Sequence, residues 1–261
     1  MKYIKFQDKK GTFTIQSPEN YSGLYFPLAG DGGLKSSITP NLGGDSKTDQ
    51  NHFLLEPVSI ENLHNNRSTR NFWCRIEGKG CWSATGISAE QELQKFTEAQ
   101  DKSILEAGFM WQKVTRTSAK YGLQSEITSF VAVDGAVEIE LVRIKNISEE
   151  VTKITPIAAI PLYGRSADNI RDHRHVTSLL HRIETTDIGV LVTPTLSFDE
   201  RGHQVNHMTY YCVGWSGNGE KPVDFYPTAE DFVGEGGNFE RPYAIVKNAE
   251  GVKAGTRIEG L

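Results

Sequence analysis

The sequence predicts an all-β protein, a large antiparallel β-sandwich with few short helices. Three observations carry that expectation. Val137-Glu138-Ile139-Glu140-Leu141 alternates strictly, and this period of two sets three aliphatics on one sheet face and two carboxylates on the other. Short runs rich in aromatic and β-branched residues recur along the chain, punctuated by turns containing Gly, Asp and Asn. Helical patterning is scarce, and many short strands with regular turns favour a sandwich.

From the amino terminus, Lys2–Phe6 and Thr12–Gln16 read as strands joined by Asp8-Lys9-Lys10-Gly11. The Gly- and Asn-rich stretch from Ala29 to Asn51, with Asp31-Gly32-Gly33 inside it, reads as a long surface excursion. Ile87–Phe96 has helix-forming composition and is either a helix or a loop with one helical turn. Phe109–Thr115 and Glu126–Val133 are strands, and Asp134-Gly135 joins the second to the Val137–Leu141 strand as a tight hairpin. Ile154–Ile160, Gly189–Thr193 and Met208–Trp215 follow as strands, with turns at 199–202 and 216–219. Thr228 is expected to cap a short helical turn, with Asp231 three residues later. Ala244-Ile245-Val246 and Arg257-Ile258 read as unpaired strand edges near the carboxyl terminus. The pattern contains no repeat and no linker, so residues 1–261 read as one domain.

Composition narrows the class. Twelve Phe, nine Tyr and four Trp among 261 residues are enough for a packed core, which excludes wholesale disorder. A formal net charge of -5 without a broad basic face argues against nucleic acid as a partner. Cys74, Cys81 and Cys212 are too few for a disulfide framework, and Cys74 and Cys81 are badly spaced for a zinc knuckle. Reduced, partly buried thiols are expected instead. The N-terminal residues lack an apolar signal region and no run is long enough to span a bilayer, so a cytoplasmic protein with no membrane partner is expected.

Two segments concentrate chemistry. Tyr163 to Ile183 packs Arg165, Arg171, Arg174, Arg182, His173, His175 and His181 around Asp168 and Asp172. Guanidinium forks suit phosphate, carboxylate or vicinal sugar hydroxyls, although a solvated loop with internal Arg–Asp pairs is the competing account. His173-x-His175, with His181 as a third ligand, is the best metal pattern, but flanking arginines disfavour a divalent ion and no metal is expected. The second segment, Asn62 to Trp82, combines Arg67, Arg70 and Arg75 with Asn65, Asn66 and Asn71 and ends on Phe72, Trp73 and Trp82. Aromatics beside Asn and Arg match the needs of a sugar site, and a core Trp beside a polar loop is the alternative. Glu56, Glu61, Asp168 and Asp172 are the candidate acids for glycoside cleavage, but nothing in the sequence raises any of their pKa values. Neither a G-x-S-x-G elbow nor a Walker-type loop is present.

Three stretches also carry a family resemblance: Asn66–Trp73 (N-R-S-T-R-N-F-W), Gly80–Ser83 (G-C-W-S) and above all Gly164–Ile183. They resemble the amino-terminal region of inverting glycoside phosphorylases of the cellobiose phosphorylase type, nearest the branch acting on β-1,2-linked oligoglucans. The resemblance runs the length of the chain. It implies a supersandwich of the galactose mutarotase-like kind, followed in the family by a helical linker and an (α/α)6 barrel. That barrel carries the general-acid aspartate and most of the phosphate site, and it has no counterpart in this sequence. The chain is therefore expected to be the truncated N-terminal part of a longer phosphorylase, with no catalytic residue and no turnover of its own. Inorganic phosphate is the co-substrate of the intact enzyme, and no cofactor is implied. The expected substrate-binding residues are Arg165, Asp168, Arg171, Asp172, His173, Arg174, His175, Arg67, Arg70 and Trp73. Expected partners are a β-linked gluco-oligosaccharide, the catalytic barrel and a second copy of the chain. The alternative is a free-standing carbohydrate-binding or mutarotase-like protein using His173, His175 and Asp172.

Overall fold

A computed structural model describes residues 4–21, 23–63, 69–170, 181–199 and 201–259. The described strands are β1 (Ile4–Phe6), β2 (Phe13–Gln16), β3 (Phe26–Ala29), β4 (Lys35–Ile38), β5 (Ser46–Asp49), β6 (His52–Leu55), β7 (Asn71–Ile76) and β8 (Gly80–Ser83). Next come β9 (Lys102–Gly108), β10 (Trp111–Ser118), β11 (Leu123–Val131), β12 (Glu138–Asn146) and β13 (Ile154–Ala159). The last are β14 (His181–Thr185), β15 (Gly189–Pro194), β16 (Leu196–Asp199), β17 (Gly202–Val205), β18 (Tyr210–Val213) and β19 (Arg257–Glu259). The protein is all-β with a few short helices, as expected from the sequence. Two compact units divide it: Met1–Thr48 with Val58–Ala159, and Asp49–Pro57 with Ile160–Leu261.

The first unit contains a six-stranded antiparallel sheet in the order β1-β2-β9-β10-β11-β12. Strands β10 and β11 alternate buried and half-buried residues along their length, the period-two pattern of a sheet covered on one side. The β3-β4-β5 meander and the β13-β7-β8 sheet cover that side. Leu28, Leu34, Ile38 and Leu42 from the meander join Cys74, Ile76, Trp82 and Ala84 around β7 and β8, and Leu123, Ile127 and Val131 of β11, in one buried cluster. The stretch expected as a surface excursion between Ala29 and Asn51 is thus core-forming. Its glycines serve the turns between strands while its leucines and Ile38 point inward. Gly44 adopts φ 110°, and a Cβ there would lie 2.0 Å from the Ser37 carbonyl oxygen, so the chain can pass that close only with glycine.

The inward row is not wholly apolar. Gln112, Ser125 and Ser129 are fully buried, and each finds a partner: Gln112 Nε2 donates to the Thr39 carbonyl, Ser125 to the Ala84 carbonyl, and Ser129 to Glu140. The helix Ala89–Gln94 begins on Ser88, whose hydroxyl accepts from the Gln91 amide at 3.1 Å and donates to the Gln91 side chain at 2.7 Å. Gln91 Nε2 and Trp82 Nε1 then share Asp101 Oδ2, both at 2.8 Å, tying helix, β8 and the start of β9 together.

In the second unit β18-β15-β14-β19 form an antiparallel sheet, and β16 pairs with β17 as a hairpin. The helix Ala229–Val233 carries the expected cap, with Thr228 Oγ1 accepting from the Asp231 amide. Ala244-Ile245-Val246, expected as a strand edge, is instead the helix Tyr243–Lys247. Pro242 presets its entry, Asn248 ends it in the left-handed conformation, and Ala244 and Ile245 are buried. Arg257-Ile258 does have a partner, since β19 pairs with β14 through Arg257↔Glu184 and Ile258↔Ile183. Cys74, Cys81 and Cys212 are free thiols, and burial pushes the Cys74 thiol up to about 12 and the Cys212 thiol up to about 11. No helix among the described residues is long and apolar enough to cross a membrane.

Candidate functional site

The segment 163–167 runs beside β6, held by three backbone bonds: Tyr163 N to Leu54 O, Phe53 N to Arg165 O, and Ala167 N to Gln50 O. Gly164 sits at φ 63°, and a Cβ there would already meet the Tyr210 ring at 3.3 Å and Pro194 at 3.4 Å. Glycine therefore serves both the left-handed turn and the close packing on β15 and β18. That turn sends the Arg165 side chain back over the Tyr163 ring, 5.1 Å from its centroid, and Nε reaches His181 Nε2 at 3.4 Å. Arg165 is 8% exposed and His181, the first residue of β14, is 5% exposed. Tyr163 OH donates to the Ser166 carbonyl at 3.2 Å, and Ser166 Oγ donates to the Phe198 carbonyl. Phe198 meets His203 edge-on across the β16–β17 hairpin, at 5.5 Å between ring centroids.

Burial, reinforced by the Arg165 charge, lowers the His181 pKa to about 4. The imidazole is neutral near pH 7 and accepts from Arg165 through Nε2, which leaves the proton on Nδ1. A guanidinium fixed on an aromatic face and a neutral imidazole is rigid. Such a group presents directional donors suited to oxygen acceptors, sugar hydroxyls and phosphate among them.

Of the residues singled out from the sequence, Arg165 and His181 lie in this cluster, and Asp168 follows three residues after Arg165. Asp168 sits half-buried on the 3-10 turn Ala167–Ile170. Arg171, Asp172, His173, Arg174, His175 and Arg67 lie outside the described residues. Arg70 and Trp73 belong to the first unit. Trp73 is 3% exposed on β7, and Arg70 is 1% exposed. Arg70 Nη2 donates to Glu138 at 2.8 Å, Nε also donates to Glu138, and Nη1 meets the Leu42 carbonyl at 3.2 Å. Among the described residues no cluster of His, Cys, Asp and Glu could hold a metal ion. Glu61 is exposed, and the Ser59 hydroxyl holds its carboxyl below the usual value, the opposite of what a general acid needs.

The acid pair that sequence reading passed over is Glu138 and Glu140. Both carboxylates turn inward on β12, Glu138 onto Arg70 and Glu140 onto Ser129, and they leave Leu141 57% exposed on the other face. The signal was available: the same inward row continues to Val142 and Ile144, which pack on the core, while Arg143 and Lys145 follow the outward one.

A family model for the glycosyl hydrolase 94 supersandwich domain matches residues 30–258. The chain belongs to that family. The matched span of this supersandwich domain runs through both units, from the turn after β3 to the middle of β19. No curated protein matches the chain.

Proposed function

We propose that this supersandwich domain is the non-catalytic sandwich of a glycoside phosphorylase acting on β-1,2-linked gluco-oligosaccharides. The observation that carries the reading is the glycosyl hydrolase 94 match over residues 30–258. The β-1,2 subtype rests on the resemblance of Gly164–Ile183 and Asn66–Trp73. In such an enzyme inorganic phosphate attacks the anomeric carbon while an acid on the barrel protonates the leaving oxygen, releasing glucose 1-phosphate with inversion. The sandwich supplies donors to the sugar from Arg165 and acceptors from Asp168, continued by Arg171, Asp172, His173, Arg174, His175 and Arg67. It packs on the catalytic barrel, associates with a second copy of itself, and works in the cytoplasm without a cofactor.

Glucose anomer exchange separates this reading from a free-standing mutarotase-like protein. Polarimetry on freshly dissolved α-glucose is expected to show the same rate with and without the purified chain. Acceleration that disappears in His173→Ala would overturn the phosphorylase reading in favour of ring-opening chemistry.

A further inference from the structure

Glu138 and Glu140 play no part in the sugar reading, and their surroundings carry an inference of their own. They stand two residues apart on the inward row of β12, an edge strand of the six-stranded sheet. Glu138 takes Nε and Nη2 of Arg70, which leads into β7, and the hydroxyl of Ser36 on β4. Ser36 in turn bonds Ser46 of β5 at 2.8 Å. Glu140 Oε2 accepts from Ser129 on β11 at 2.6 Å. Glu140 Oε1 is buried without a donor among the described residues, on the same inward row as the Glu138 carboxyl and close enough to feel its charge. Asp45, before β5, adds a further negative charge felt by Arg70. Its carboxylate is held by Ser37 and the Val58 amide, and only its backbone carbonyl accepts from Arg70, so the two buried carboxyls of β12 share one guanidinium in a site where an uncompensated charge is costly.

We propose that Glu138 and Glu140 hold one proton between them, seated on Glu140, and that with Arg70 they form an acid latch fastening edge strand β12 to the β3–β5 meander. A protonated Glu140 turns the orphaned Oε1 into an O–H donor toward the Glu138 carboxylate. It leaves Glu138 as the direct anionic partner of Arg70. Ser36 and Ser46 then carry the connection from β12 into β4 and β5.

Burial, followed by the Glu138 charge, pushes the Glu140 carboxyl up to about 8. Burial also raises Glu138, but the Arg70 charge and hydrogen bonds outweigh it and hold Glu138 below the ordinary value. Because the Glu140 value is raised on folding, its stabilising contribution is complete below the ordinary carboxylate range. It declines as pH rises toward about 8. Above that pH both carboxyls are anions competing for Arg70, the contribution is lost and the profile is flat.

The test pairs infrared spectroscopy of the full chain in heavy water with urea unfolding from pH 5 to 9.5, on wild type and Glu140→Gln. The glutamine keeps the shape and donor of the protonated acid but does not titrate. Wild type is expected to show a protonated-carboxyl C=O band at pH 6–7 that fades through about pH 8, absent in Glu140→Gln. Its folding constant is expected to fall relative to the variant by about tenfold per pH unit within that window. A wild type without that band at pH 6–7 would overturn the proposal whether or not the variant folds. So would parallel pH profiles for the two proteins.

Discussion

At the scale of single residues, burial decides which charges are held and which titrate. His181 is neutral in the folded state because burial and Arg165 disfavour its charge, and its value falls to about 4 against an ordinary 6.5. The unfolded chain therefore binds more protons between those values, so stability is lost as pH falls through that window, by about 3 kcal/mol in all. Thermal unfolding between pH 4 and 7 is expected to show this loss in wild type and a flatter profile in His181→Gln. Arg70 poses the converse case. Replacing it with Met leaves Glu138 buried without its cation, and the expected cost is about 3–5 kcal/mol, read from urea unfolding at pH 7. An Arg70→Met chain as stable as wild type would mean that Glu138 protonates or reaches water at little cost.

Elements were legible in the sequence wherever periodicity and turn chemistry agreed. The Val131↔Glu138 register closes a hairpin around Asp134-Gly135, and the Thr228 cap sits where the spacing to Asp231 places it. Two elements were misread for identifiable reasons. Ala244-Ile245-Val246 has β-branched composition, but Pro242 and Asn248 at its ends and the adjacent buried pair Ala244 and Ile245 suit a helix. The Ala29–Asn51 stretch looks polar because its core residues are spaced by turns, so no run of them shows the alternation that marks a strand. On β12 the alternation itself was plain, whereas its orientation depended on Arg70, which lies 68 residues away in sequence. Local pattern gives the period of a strand but not which face is covered. At this scale the Ser88 cap is the simplest probe: Ser88→Ala removes both bonds to Gln91 and is expected to cost about 1 kcal/mol in unfolding experiments. A change near zero would show that the Gln91–Asp101 bond alone holds the helix end.

At the scale of the whole molecule, the candidate site was legible as a dense Arg/His segment, and the structure adds how Arg165 is set: over Tyr163, against His181, on a turn that needs Gly164. The five other proposed ligand residues of that segment, and Arg67, lie outside the described residues, and their proposed roles come from the sequence. Alternate residues Tyr211, Val213 and Trp215 are exposed along and beyond β18, which favours association of chains. Sedimentation velocity across a hundredfold concentration range is expected to show a rising sedimentation coefficient, reduced in Trp215→Ser. A constant monomer value in both proteins would remove that part of the proposal. The most direct test of the central claim is phosphorolysis itself. Purified chain, sophoro-oligosaccharides and inorganic phosphate are incubated together and glucose 1-phosphate is measured, with and without a separately expressed (α/α)6 barrel from a β-1,2-oligoglucan phosphorylase. A non-catalytic sandwich releases no glucose 1-phosphate by itself and raises the yield of the barrel when the two are mixed. Release by the chain alone would contradict the account.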